Sequence, residues 1–217
     1  MTEPTSPATS PRQANLGDTE EVARIERFVA RHHGSVFQRP LWLLAIERGT
    51  GNDALGLVIE RGGELTGWLP LSDVHSALFG RALVSSGFGV GGGGLAETEE
   101  DIDGLCRAAE ELAIRRAAAS VELRGGPAPR AWHPIAGKHA GFSGDLAADD
   151  EAQLLAIPRK ARAEVRKGLK NDLAVSIGQG PEDRAAHYAV YAESVRNLGT
   201  PGFPRALFDA VLDMFGQ

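Results

Sequence analysis

The chain has 217 residues, 23 Lys and Arg against 29 Asp and Glu, and a net charge of −6. Its hydrophobic share of 42% and charged share of 24% exclude a disordered chain, no apolar run approaches the ~20 residues of a membrane span, and the acidic total argues against a general nucleic-acid binder, which needs clustered Lys and Arg. A lone cysteine, Cys106, excludes internal disulfides and cysteine-based metal sites.

Residues 1–12 are polar and rich in Pro, Ser and Thr. They lack the basic start and apolar core of a signal peptide, so the expectation is a cytoplasmic protein with a disordered N-terminus over residues 1–17. Asp18 or Thr19 can cap a helix reaching about His33, with Val22, Ile25, Phe28, Val29 and His32 on one stripe. A second, short helix is expected over 37–47, with Pro40 near its first turn and Leu41, Trp42, Leu44 and Ala45 as its packing side. Strand-like runs at 55–60 and 64–71 flank Arg61-Gly62-Gly63, which reads as a hairpin turn. A third run, 82–86, enters the glycine-rich segment 87–94. A helix over about 99–118 follows, its apolar face made by Ile102, Leu105, Cys106, Ala109, Leu112 and Ala113. Residues 120–124 read as a strand with Val121 and Leu123 in the sheet interior. The stretch 125–148 is irregular, with one short strand expected near Phe142.

This order is a mixed α/β layer arrangement with one core over residues 18–148. From residue 149 the pattern changes. A helix over 150–156, a break at Pro158 and a helix to about Lys170 precede a strand at 173–177. A helix over 182–198 is closed by Gly199, and a last helix over 204–215 carries Leu207, Phe208, Val211, Leu212 and Phe215. One strand cannot satisfy its backbone alone, so the expectation is an incomplete second domain over 149–217. Its last helix would expose Phe208, Val211, Leu212 and Phe215 and drive self-association.

Three features bear on chemistry. The glycine run 87–94 lies between a strand and a helix, where backbone amides can cradle a phosphate. The carboxylates opening the next helix (Glu97, Glu99, Glu100, Asp101, Asp103) would repel one, which favours a close backbone approach or a flexible connection. The basic stripe Arg159, Lys160, Arg162, Arg166, Lys167 and Lys170 is opposed only by Glu164; that segment carries +5, leaving −11 for the rest. It is either a solvated face or the site of an anionic partner. The segment 191–203 gathers Tyr191, Arg196, Asn197, Thr200 and Phe203 at a helix end, as a capped terminus or a recognition corner. The histidines at 32, 33, 75, 133, 139 and 187 show no metal spacing, and His133 and His139 read as loop residues. Trp42, Trp68 and Trp132 read as core anchors. No nucleophile–base pair stands out, and no catalytic residue is assigned.

Several of these motifs resemble FemAB-like proteins, in particular the bacterial branch associated with exosortase and exopolysaccharide gene clusters. The first half carries Arg39-Pro40-Leu41-Trp42, Leu69-Pro70-Leu71, Leu78-Phe79-Gly80, Val84-Ser85-Ser86-Gly87-Phe88 and Val121-Glu122-Leu123-Arg124. The specific matches are Ile157-Pro158-Arg159-Lys160-x-Arg162-x-Glu164-Val165-Arg166-Lys167 and Tyr191-x-x-Ser194-Val195-Arg196-Asn197-Leu198-Gly199-Thr200-Pro201, and the likeness covers residues 18–217. The resemblance implies tandem GNAT-like domains, the first at 18–148 and an incomplete second at 149–217. It implies acyl or aminoacyl transfer that forms an amide on a peptidoglycan or envelope polysaccharide precursor, at the inner face of the membrane. No cofactor would be tightly bound; the acyl donor, aminoacyl-tRNA or acyl-CoA, would be a co-substrate. The acceptor would be an anionic nucleotide- or lipid-linked precursor, met by Arg159, Lys160, Arg162, Arg166, Lys167, Tyr191, Arg196, Asn197, Thr200 and Phe203. Two other readings stay open. One is an acyl-CoA-dependent small-molecule N-acyltransferase with 87–94 as its pyrophosphate loop. The other is a non-catalytic module that docks on an anionic partner.

Overall fold

The computed structural model describes residues 10–78, 80–137 and 140–216. Phe79, His139 and the first nine residues, on which parts of the sequence reading fall, lie outside them. The described chain forms two compact units. One holds the residues up to Trp132 together with those from Gln179 on; the other is His133–Gly178.

The first unit is built on a six-stranded mixed sheet. Its strands are β1 (Arg12–Gln13), β2 (Asp53–Arg61), β3 (Glu64–Ser76), β4 (Gly80–Val84), β5 (Leu95–Ala96) and β6 (Ser120–Glu122). The order is β1-β2-β3-β4-β6, with β5 also on β3. Only β4 and β6 run parallel. The β2–β3 hairpin forms as expected: Arg61 faces Glu64, and Gly62 and Gly63 take the positive φ values of 58° and 86° that a two-residue turn demands. The register shifts between Ile59 and Glu60, where Thr66 is the extra residue on β3. The bulge inverts the side-chain phase, so Leu65 points to the same face as Trp68, while Leu69 and Leu71 point to the other.

Helices cover both faces. Helix α1 (Thr19–Arg31) starts where Asp18 accepts a hydrogen bond from the Glu20 amide. It packs Ile25, Phe28 and Val29 with Leu43, Val58, Leu65 and Trp68. Helix α2 (Pro40–Thr50) follows a single 3-10 turn at Val36–Gln38. Helix α3 (Glu99–Arg115), capped by Thr98, lies on the opposite face, and all six residues expected on its apolar side are buried. There Leu105, Ala109 and Leu112 meet Leu55, Leu57, Ile59, Leu69, Leu71 and Leu83.

Several expectations change. Residues 10–17 are not loose, because β1 pairs with β2 and Ala14 is buried. Strand β6 is the sheet edge among the described residues, not its interior, and Val121 and Leu123 are only partly buried. Among the described residues no strand forms near Phe142, which is exposed. The face of α2 that enters the core is Leu43, Ala45 and Ile46, with Leu41, Trp42 and Leu44 half-buried. Trp68 alone of the three tryptophans is a core residue; Trp42 and Trp132 are half-buried.

The largest change concerns the last helices. Helix α6 (Pro181–Asn197) and helix α7 (Arg205–Phe215) belong to the first unit. Helix α7 lies along α2. Gly49 permits it: a Cβ there would stand 2.5 Å from the Leu207 Cα. Arg48 pairs with Asp213 at 2.8 Å, and the Arg39 guanidinium sits 4.9 Å above the Phe215 ring. Phe208, Val211, Leu212 and Phe215 are therefore half-buried rather than an open patch, which removes the basis for self-association through α7.

The second unit holds helix α4 (Asp150–Ala156) and helix α5 (Arg159–Leu169), broken apart at Pro158 as expected. The strand expected at 173–177 is absent, and its Leu173, Val175 and Ile177 are exposed. Among the described residues no helix is long and apolar enough to cross a membrane.

Candidate substrate-binding site

The glycine run 87–94 leaves β4 and is held from several sides. Trp42 Nε1 donates to the Gly87 carbonyl at 3.1 Å, Ser35 Oγ to that of Gly91 at 3.1 Å, and Gln38 Nε2 to that of Gly93 at 2.7 Å. Ser86 Oγ donates to the Phe37 carbonyl. Side chains could not fit at several of these glycines: a Cβ on Gly89 would run into the Phe37 ring, and one on Gly93 into the Gly125 backbone. The run thus forms close backbone approaches, the plainer of its two readings. Gln38, which no motif marked, joins this loop to the core, since its own carbonyl accepts Trp68 Nε1 at 2.7 Å.

Phe88 sits in this loop at a φ of 60° and turns its ring edge-on to Phe203, 5.4 Å away. Phe203 is clamped through its backbone. Tyr191 Oη accepts its N–H at 2.9 Å, and Tyr188 Oη donates to its carbonyl at 3.1 Å. Both tyrosine rings lean on Phe208 of α7. The segment 191–203 is therefore a built corner that joins α6, α7 and the glycine loop, not only a capped helix end. Tyr191 also lines a shallow, open cavity along α6 with Ala186, His187, Val190 and Ser194, all of that helix and all but Tyr191 exposed. Tyr191 and Ser194 come from one motif of the sequence; Tyr188, one helical turn earlier, was missed and could have been found by its i,i+3 spacing.

Of the other expected residues in this corner, Arg196, Asn197 and Thr200 are exposed at the end of α6. Gly199 takes the expected left-handed conformation, and the Thr200 amide closes the helix on the Val195 carbonyl at 2.9 Å. The basic residues belong to the second unit. Arg162 is turned onto its own unit: its guanidinium donates to the carbonyls of Leu155 at 2.7 Å and Ile157 at 2.9 Å, which the break at Pro158 leaves without helical partners. Arg159, Lys160, Arg166 and Lys167 are exposed, with no hydrogen-bond or ion partner among the described residues.

No family model matches the sequence, and no curated protein does. Solved structures do. The crystal structure of FemX matches 94% of this chain and 55% of its own length, at a TM-score of 0.61 and 16% identity. At that identity the likeness speaks for the fold, and the chain spans little more than half of FemX. Two smaller proteins match more loosely, each 14% identical: a ribosomal-protein-alanine N-acetyltransferase from Brucella melitensis (79% of this chain, 100% of that one, TM-score 0.38) and a GNAT family acetyltransferase from Staphylococcus aureus (64% and 100%, TM-score 0.39). The mixed sheet with helices on both faces is the mixed α/β arrangement expected from the sequence, and its fold is similar to that of FemX.

The ionisable groups narrow the chemistry. The Cys106 thiol is pushed up to about 11 by burial and by the nearby Asp103 and Glu110 carboxylates, which makes it an inert core residue and not a nucleophile. Asp213 is held below the usual carboxylate range, first by its hydrogen bond from Arg184 and then by the charges of Arg184 and Arg48, a clamp between α6, α7 and α2. Among the described residues no group of three or more His, Cys, Asp or Glu could hold a metal ion.

Proposed function

We propose that this protein is an acyltransferase of the FemAB type. It would transfer an acyl or aminoacyl group, as an activated ester or thioester, to an amine on an anionic peptidoglycan or polysaccharide precursor. The observation that carries this reading is the FemX-like fold over 94% of the chain; the corner of Tyr188, Tyr191, Phe203 and Phe88 beside the α6 cavity supports it. In such a reaction the protein mainly orients the amine on the acyl carbon and stabilises the developing oxyanion. Tyr191, Ser194, Arg196, Asn197 and Thr200 would receive the acceptor, with Phe203 as a fixed wall. The donor, aminoacyl-tRNA or acyl-CoA, would come and go as a co-substrate.

The test is twofold. Binding of a nucleotide-linked peptidoglycan precursor should be measured for the chain and for the Arg196→Ala and Phe203→Ala variants, and amide formation followed with labelled aminoacyl-tRNA and labelled acyl-CoA offered separately. Precursor binding lost in both variants, with transfer from either donor, supports the reading. A chain that binds no precursor and consumes neither donor overturns it. Consumption of acyl-CoA with a small amine alone would favour the small-molecule N-acyltransferase.

A further inference from the structure

Helix α5 carries charge that the fold does not use. With Arg162 committed to the end of α4, the remaining cations Arg159, Lys160, Arg166, Lys167 and Lys170 are all exposed and have no partner among the described residues. At ~100° per residue they fall within a sector of roughly 120°, and Glu164 lies outside it. The other side of the helix is Ala161, Val165 and Leu169, and Leu169 is 73% exposed. Beyond the helix, Leu173, Val175 and Ile177 alternate along the chain, with Ile177 99% exposed. Exposed cations on one side of the helix thus stand opposite a small aliphatic side with Leu169 exposed, in a chain whose total charge is −6.

We propose that α5, lying in the interface with its aliphatic side inward, docks the second unit on the surface of an anionic lipid bilayer. The cations would meet headgroup phosphates, and Val165, Leu169 and the aliphatic residues beyond them would enter the headgroup–acyl boundary. Helices that lie in the interface divide their faces in this way. The alternatives fit the same residues less well. A free phosphate needs the cations and gains nothing from Leu169. Single-stranded nucleic acid is held by aromatic side chains among the cations, and residues 159–178 contain none. A second copy would set +5 against +5. The remaining −11 of the chain is repelled by an anionic bilayer, which confines docking to this face. The inference rests on the acyltransferase reading in one respect, the use of the contact: it would hold the enzyme where a lipid-linked acceptor is embedded.

The full chain should be co-sedimented with vesicles of phosphatidylcholine alone and of phosphatidylcholine mixed with phosphatidylglycerol. The expected result is binding to the anionic vesicles only, weakening as salt is raised. Arg166→Gln or Lys167→Gln should each lower partitioning about fivefold. Leu169→Ser, which leaves the charge unchanged, should also lower it. Lys160→Gln reads the other edge of the sector should a change at 166 disturb the helix, and circular dichroism checks each variant. Equal binding to both vesicle types, or none, overturns the proposal. So does a Leu169→Ser variant that binds as the wild type, and so does tighter binding to a single-stranded RNA with the same Arg and Lys dependence. Dimerisation that buries Leu169 overturns it as well. Binding of a soluble nucleotide-linked precursor without vesicles, unchanged by Leu169→Ser, would leave the acyltransferase reading standing when the docking fails.

Discussion

Asp101 is fully buried at the start of α3, and Arg61 at the hairpin turn is its one ionic partner, at 2.8 Å; its second carboxylate oxygen has no hydrogen bond among the described residues. Removing the cation therefore strands a buried charge. Arg61→Ala should destabilise the fold by about 3 kcal/mol, the lower end for a broken buried pair because Arg61 itself reaches solvent. Denaturant unfolding would show it, and Asp101→Ala added to Arg61→Ala should recover part of the loss. At this scale the sequence speaks through local chemistry. Asp18 and Thr98 are legible as caps, and Gly62-Gly63 as a turn, because each acts within a few residues of itself. The capping bonds of Arg162 were not legible, because spacing alone does not separate a cation that caps a neighbouring helix from one that faces solvent. The break at Pro158 was the available signal, since it leaves carbonyls without partners. Gln38 carried none, because its partners Gly93 and Trp68 are distant in the chain.

Helix α7 shows how two elements meet when neither predicts the other. Its apolar face was legible as a face, and what covers it was not. The fit depends on a missing side chain at Gly49, where a Cβ would lie 2.5 Å from the Leu207 Cα and 3.0 Å from the Ala206 carbonyl. These are backbone atoms, so α7 itself must move. Gly49→Ala gains up to about 1 kcal/mol in helix propensity and loses about 1–3 kcal/mol to overpacking; the expected sign is destabilisation, read as a lower urea midpoint. The same junction responds to acid. Asp213 has a lowered value in the folded chain, so its ion pairs with Arg184 and Arg48 stabilise fully above the ordinary 3.8. That contribution is lost as pH falls through the lowered value. Near-ultraviolet dichroism from Tyr188 and Tyr191 should fade over that range earlier than the helical signal of α3, and an Asp213→Asn variant should lack this early step.

For the whole molecule, the boundary read from sequence at 148 and 149 reflects a change of pattern, and the packing follows another division. The described residues before His133 and those after Gly178 share one unit, although more than forty residues separate them. Limited proteolysis makes the difference visible. Cuts within both 140–149 and 170–178, where regular structure is nearly absent and side chains such as Phe142 are exposed, should release the middle of three pieces and leave the outer two eluting together because α7 stays on α2. Outer pieces that separate without denaturant would contradict that packing. Pattern could not show this, since a helix stripe states only that a partner is needed. The core of this unit also contains its own stopwatch. Cys106 is the chain's single thiol; it lies on the buried side of α3 and is raised to about 11, so at neutral pH an alkylating reagent finds almost no thiolate in the closed state. Its labelling rate therefore counts the excursions in which α3 lifts from the sheet, and the chain times its own breathing without an added probe.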